Sequence, residues 1–269
     1  MSTNGSAATR GATGGPGGPR LPDLRLRRLA ALGRSELTLL VRNRAALSVA
    51  LLMPLALVLS LRSTLSANGA AAVGEATLTG GIGSVLLLVV YMNLVSAYVA
   101  RREELVLKRL RTGEAGDLEI LAGTALPATV LALAQSAVLV LAGAPVLHVR
   151  GPRDPAVLVL AVLAGIVLLA GLSALTSAFT RNVESAGLTT LPLLLVSMIG
   201  SGLFVPADSL PDGVARVAEL LPLSGVMILV RAGWAGGDAA LLAPAATTLA
   251  WIAVTVFAVG RWFRWEPRR

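Results

Sequence analysis

The stretch AVLVLAVLAGIVLLAGLSALTSAF, Ala156–Phe179, decides the fold, because none of its side chains is ionisable. A bilayer core about 30 Å thick takes about 20 helical residues to cross, and this run is long enough. Five further runs of the same kind flank it: Ala45–Leu61, Gly80–Ala100, Glu119–Leu147, Ser185–Val205 and Ala239–Gly260. Among them only Glu119–Leu147 carries a charge, at its first residue. Nearly every other ionisable group falls in the connections. The chain therefore reads as an all-α integral membrane protein with six transmembrane helices over residues 45–260.

Composition agrees. At 269 residues, 55% hydrophobic and mean hydropathy +0.77, the chain is too apolar for an ordinary soluble domain of this size. Six spans leave no room for a large soluble domain beside them. The formal net charge of +8 is unevenly distributed. If sides alternate at each span, one side of the membrane receives eighteen Lys/Arg and the other only Arg62, Arg150, Arg153, Arg216 and Arg231. That bias places both termini in the cytoplasm of a cell-membrane, multi-pass protein. The basic excess is a signal of topology and lipid contact; nucleic acid is not an expected partner.

Much chemistry is excluded. The chain has no cysteine and one histidine, His148, so it has no thiolate or histidine-rich metal site. Its only lysine is Lys108, and no GxxxxGK[ST] phosphate loop occurs. No HExxH, dinucleotide or nucleophile-elbow pattern is present. The chain is thus not expected to be an enzyme or to hold a metal or cofactor. Proton-driven carriers usually place a carboxylate or histidine inside the membrane, and these spans have none.

Met1–Pro22 is rich in Gly, Ala, Ser, Thr and Pro and is expected to be a disordered tail. Residues 23–44 follow with Asp23 as a helix cap. At about 100° per residue, Leu26, Leu29, Leu37 and Leu40 form one stripe, and Arg27, Arg28, Arg34 and Arg42 lie opposite. This pattern predicts an amphipathic cytoplasmic helix lying in the headgroup plane. A small-residue external loop with Glu75 is expected before the second span. That span runs into Arg101-Arg102-Glu103-Glu104, where a surface salt-bridge network worth about 0–1 kcal/mol is the default. A short charged helix over Arg101–Arg111, with Glu104 and Lys108 at i,i+4, should precede the third span, which Asp117 would cap.

Spans four and five are joined by a tight turn around Arg181-Asn182. Before the last span, Val214–Leu221 and Leu223–Val230 are apolar-rich, too short to span, and separated by Pro222. Two short helices that dip into the membrane and return are expected there. Asn93 and Gln135, polar residues within spans, are expected to hydrogen-bond between helices or to their own backbone. Tyr91, Tyr98 and Trp251 are expected to serve in packing. Trp234, Trp262 and Trp265 sit where interfacial aromatic belts belong. Gly165, Gly171, Gly187, Gly200 and Gly202 should permit close helix approach. The basic tail, residues 261–269, closes the chain.

Two stretches resemble a known family. Arg101-Arg102-Glu103-Glu104-Leu-Val-Leu-Lys108-Arg109-Leu110-Arg111-Thr112 is similar to the cytoplasmic coupling segment after the second span of ABC-2 type transporter permeases. Ser201-Gly202-Leu203-Phe204-Val205-Pro206, with Leu210-Pro211 and Leu220-Leu221-Pro222-Leu223, resembles that family's external segment before the last span. One departure is that Gly113 to Gly116 stand where the family often has a proline. The resemblance implies a transmembrane subunit of an ATP-driven exporter, paired with a second permease subunit, identical or not. ATP and magnesium would sit on a separate ABC ATPase. It further implies that Arg101, Arg102, Glu103, Glu104, Lys108, Arg109 and Arg111 couple to that ATPase, with the interfacial helix beside them. Asn93, Ser197 and Phe204 would line the substrate path. Pro206, Pro211 and Pro222 would belong to an external gate. A self-contained secondary carrier or facilitator is the alternative, since sodium coupling needs no intramembrane charge; the missing inverted repeat counts against it.

Overall fold

The computed structural model describes residues 70–103, 117–202, 211–236 and 241–263, together with Leu52, Met53 and Ala56. The first apolar run apart from those three positions, the interfacial helix, residues 104–116 and 203–210, and the last six residues lie outside this description. Every described element is helical: α1 (Ala70–Val85), a π-helical segment (Leu86–Met92), α2 (Asn93–Glu103), α3 (Asp117–Val138), a second π segment (Leu139–Gly143) with a last turn Ala144–Val146, α4 (Pro155–Phe179), α5 (Val183–Gly200), α6 (Asp212–Glu219), α7 (Pro222–Ala235) and α8 (Leu242–Trp262).

Five helices are long and apolar enough to cross a membrane: Val73–Glu103, Ile120–Val146, Pro155–Phe179, Val183–Gly200 and Leu242–Trp262. They match the second to sixth apolar runs of the sequence. The chain is an all-α membrane protein. The expected loop around Glu75 is instead helical, since α1 begins at Ala70. Small residues make this extension possible, because Gly74 lies where a Cβ would fall 2.4 Å from Val149.

Caps fix the helix ends. Asp154 accepts the Val157 N–H at 3.1 Å, and Pro155 opens α4 where no N–H is needed. Asn182 and Ser185 form a reciprocal capping box at α5, at 2.9 and 3.2 Å. Three residues, Thr180 to Asn182, therefore suffice to join α4 to α5.

The helix α1–α2 is the centre of the bundle: 61% of its most apolar window is buried, against 22% for α5 and 28% for α8. Tyr91 and Tyr98, both packed inside, bond to neighbours. The Tyr91 hydroxyl meets that of Thr176 at 3.1 Å, and the Tyr98 hydroxyl donates to the Leu121 carbonyl at 3.2 Å. The π segment before Asn93 leaves the Tyr91 carbonyl facing α4, where the Ser173 hydroxyl lies 3.1 Å away.

Glycine sets the other close approaches. A Cβ at Gly165 would lie 2.9 Å from Val226, and one at Gly171 would lie 2.9 Å from Thr255. Gly233 backs onto the α4 backbone, where a Cβ would sit 2.7 Å from Leu158 N. Gly187 does not behave this way; nothing lies within 4 Å of its Cβ position.

These contacts also fix direction. Gly171 beside Thr255 and Gly225 beside Pro244 and Thr248 show α8 running parallel to α4. Gly233 beside Leu158 and Gly165 beside Val226 show α7 running antiparallel to α4. Arg101, Arg102, Arg181 and Arg261 therefore share one end of the bundle, here termed the basic end. Helices α6 and α7 meet at 85°. Because α8 starts at the far end from the basic one, the α6–α7 pair dips inward and returns without crossing. This is the arrangement expected around Pro222.

Candidate functional site

At the basic end, the last turn of α2 grips the α4–α5 turn. Arg102 Nη1 donates to the Ser177 carbonyl at 2.8 Å, and Nη2 donates to the Thr180 carbonyl. Both acceptors belong to the C-terminal end of α4, which carries the negative end of that helix dipole. Glu103 Oε1 accepts the N–H of Val183, the first residue of α5, at 3.2 Å. Its negative charge faces the positive end of the α5 dipole. Two consecutive, oppositely charged residues thus bind the two helix ends for which their charges suit them. Beside the mutual attraction of Arg102 and Glu103, these backbone bonds form because the three-residue turn presents bare carbonyls and N–H groups to the end of α2.

Arg101 is half-buried beside this grip. Glu104, Lys108, Arg109 and Arg111 of the coupling segment lie outside the described residues, as do Arg27, Arg28, Arg34 and Arg42.

At mid-span, the residues assigned to a substrate path separate. Asn93 is exposed on the surface of the bundle and makes no hydrogen bond through its side chain among the described residues. The expected interhelical or backbone bond of this side chain is not found among the described residues. Leu88 of the π segment is also exposed, at 50%. Ser197 is buried at 1% exposure, and its hydroxyl has no partner. Phe204 lies outside the described residues.

At the far end, α6 and α7 plug the bundle. Leu223, Val226, Met227 and Val230 of α7 are fully buried. Pro222 opens α7 as its first residue and is buried; Pro211, exposed, stands at the cap position of α6. Pro206 lies outside the described residues. Trp234, expected in an interfacial belt, is only 2% exposed because α7 is enclosed by α4 and α8. Trp262 is 61% exposed, as a belt residue would be. The α4 approach hooks onto the end of α7: the N–H groups of Arg153 and Asp154 donate to the carbonyls of Trp234 and Gly233 at 3.2 and 2.9 Å. Trp251 of α8 donates its indole N–H to the Leu220 carbonyl at the bend, at 2.8 Å. Sequence reasoning treated Trp251 as a packing residue and missed this bond; only the backbone break at Pro222 leaves that carbonyl open.

The ABC-2 type transporter family model matches residues 27–234. That range takes in the described helices from α1 to α7 and most of the chain. The chain belongs to the ABC-2 type transporter family. No curated protein and no solved structure matches it. The ABC-2 domain is a permease component and not an ATPase, and its family implies an ABC ATPase as partner. Within this permease, the described residues contain no group of acidic and histidine side chains that could hold a metal ion.

Proposed function

We propose that this permease is the transmembrane subunit of an ATP-driven exporter for lipophilic or amphipathic cargo, such as a drug, natural product, lipid or glycan. A separate ABC ATPase supplies the energy, and a second permease subunit, identical or a sister chain, completes the path. The basic end faces the cytoplasm, in keeping with the positive-inside distribution.

The observation that carries this reading is the grip of Arg102 and Glu103 on the α4–α5 turn. A force applied by a cytoplasmic ATPase to the segment after Glu103 reaches α2, α4 and α5 together. Residues 101 to 111 act as the lever, with Arg102 and Glu103 binding it to the bundle. Asn93 adds to the reading, because an uncovered carboxamide at mid-span is costly against lipid and suits a cargo or a second subunit.

The test is reconstitution with the ABC ATPase that co-purifies with the chain. ATP-dependent uptake of a fluorescent amphipathic dye into inverted vesicles is expected to need both proteins. Uphill dye movement by the permease alone would instead establish the secondary carrier.

A further inference from the structure

The far end holds a second grip, and its chemistry differs from the first. Arg231 of α7 donates from Nη2 to the carbonyl of Ser201, the residue that ends α5. This half-buried cation has that backbone oxygen as its one hydrogen-bond partner and meets no carboxylate among the described residues. Gly202, at φ +67°, turns the chain sharply under it; a Cβ there would lie 2.9 Å from Arg231 Nη2. The Ser224 hydroxyl lies 2.5 Å from the Ala218 carbonyl of α6 and 3.1 Å from the Gly200 carbonyl, so its one proton is shared between the two. Leu221, at the α6–α7 bend, presses onto Gly200, where a Cβ would fall 2.1 Å from its Cδ1.

This seam differs in kind from the α7–α4 contact. There, the backbones themselves meet: Gly233 backs onto Leu158, and the Arg153 and Asp154 N–H groups bond the Trp234 and Gly233 carbonyls. Here, α5 meets α7 through side chains: the Arg231 cation on the Ser201 carbonyl, with the Ser224 hydroxyl, shared with Ala218, beside the Gly200 carbonyl. Such carbonyls carry the negative end of the helix dipole and lack partners within the helix. Polar bonds of this kind can break and re-form without re-packing a core. The helix on one side is also the least buried of the five spans. And α5 is the helix whose opposite end is held by Glu103.

We propose that Arg231 is a positioning residue for transport: it latches α7 to the end of α5 and keeps the far end of the bundle shut until α5 is pulled from the basic end. The proposal rests on the export reading. Pulling α5 separates Gly200 from Leu221, and the latch re-forms when α5 returns.

The absence of cysteine makes the seam directly testable. The Cβ position of Gly200 lies 3.6 Å from Leu221 Cβ, inside the range of about 3.5–4.5 Å that a disulfide requires. The Gly200→Cys/Leu221→Cys double variant, bound to its ABC ATPase in proteoliposomes, should cross-link readily with copper phenanthroline in the resting state. Trapping with ATP and vanadate should slow cross-linking roughly tenfold, as expected for a population shifted to an open seam. Oxidised complex should lose ATP turnover, and dithiothreitol should restore it. In the same background, Arg231→Met should slow resting cross-linking several-fold, with Arg231→Lys restoring most of the rate.

Equal cross-linking in the resting and trapped states overturns the latch, as does full ATP turnover by the oxidised complex. An unchanged rate in the Arg231→Met variant removes Arg231 from it. A reduced double variant that binds no ATPase, in company with a parent chain that also binds none, overturns the export reading itself and the latch with it.

Discussion

The Glu103 carboxylate meets the backbone N–H of Val183 at 3.2 Å, joining the end of one span to the start of another eighty residues later. An anion at a helix N-terminus contributes about 0.3–1 kcal/mol. Glu103→Lys reverses that interaction, so the purified chain should lose about 1 kcal/mol of stability in reversible detergent unfolding. ATP-driven dye transport should fall much further, while ATPase co-purification persists. Transport unchanged in a folded Glu103→Lys chain would remove the grip from the mechanism.

Gly233 offers a sharper test of packing. Its neighbour is the α4 backbone at Leu158, which cannot rotate aside as a side chain would. Gly233→Val should cost about 1–3 kcal/mol or more by overpacking. Gly187→Ala, with open space around its Cβ position, should instead be neutral or slightly stabilising. Thermal denaturation followed by size-exclusion recovery separates the two.

Removing the Tyr98 hydroxyl isolates one interhelical bond. Its acceptor, the Leu121 carbonyl, is 3.2 Å away on α3. Tyr98→Phe should cost about 0.5–1.5 kcal/mol. Tyr98→Ala should cost about 3–5 kcal/mol, since Tyr98 is 2% exposed and its removal leaves a cavity. Unfolding in a denaturing detergent series measures both.

Asn93 should behave in the opposite way. It is exposed and carries no side-chain hydrogen bond among the described residues, so Asn93→Leu should leave stability within about 0.5 kcal/mol. Transport or subunit pairing should change. A folded Asn93→Leu chain with unaltered transport and unaltered oligomeric state would place Asn93 against lipid alone.

Energy coupling provides the fifth test. The apolar runs carry no acidic, basic or histidine side chain apart from Glu119 at the start of the third, so collapsing the proton gradient with an uncoupler should leave ATP-driven efflux unchanged. Efflux that falls with the gradient would favour a proton-coupled carrier.

The length and purity of runs such as Ala156–Phe179 made the spans legible, because the bilayer admits few alternatives for uncharged segments of that length. Pro222 likewise betrayed the bend between α6 and α7, since a proline cannot continue the preceding helix. The partners of Arg102, Glu103, Arg231 and Trp251 were not legible, as each bonds to a backbone group far away in sequence. Backbone acceptors are the same at every residue, so no side-chain pattern marks them. The burial of Trp234 was hidden for a related reason: hydropathy measures how apolar a helix is and not which neighbours enclose it.

By itself the sequence determined a chain of helices built on charge-free apolar runs, the order of its connections and the inward dip before the last helix. It did so because transfer of charge and open backbone into lipid is prohibitively costly. Tertiary structure alone decided which helix lies at the centre, how α2 holds the α4–α5 turn, and how Arg231 ties α7 to α5. Those choices depend on where helix ends come to rest in space, and the free carbonyls and N–H groups there find partners only after the bundle has packed.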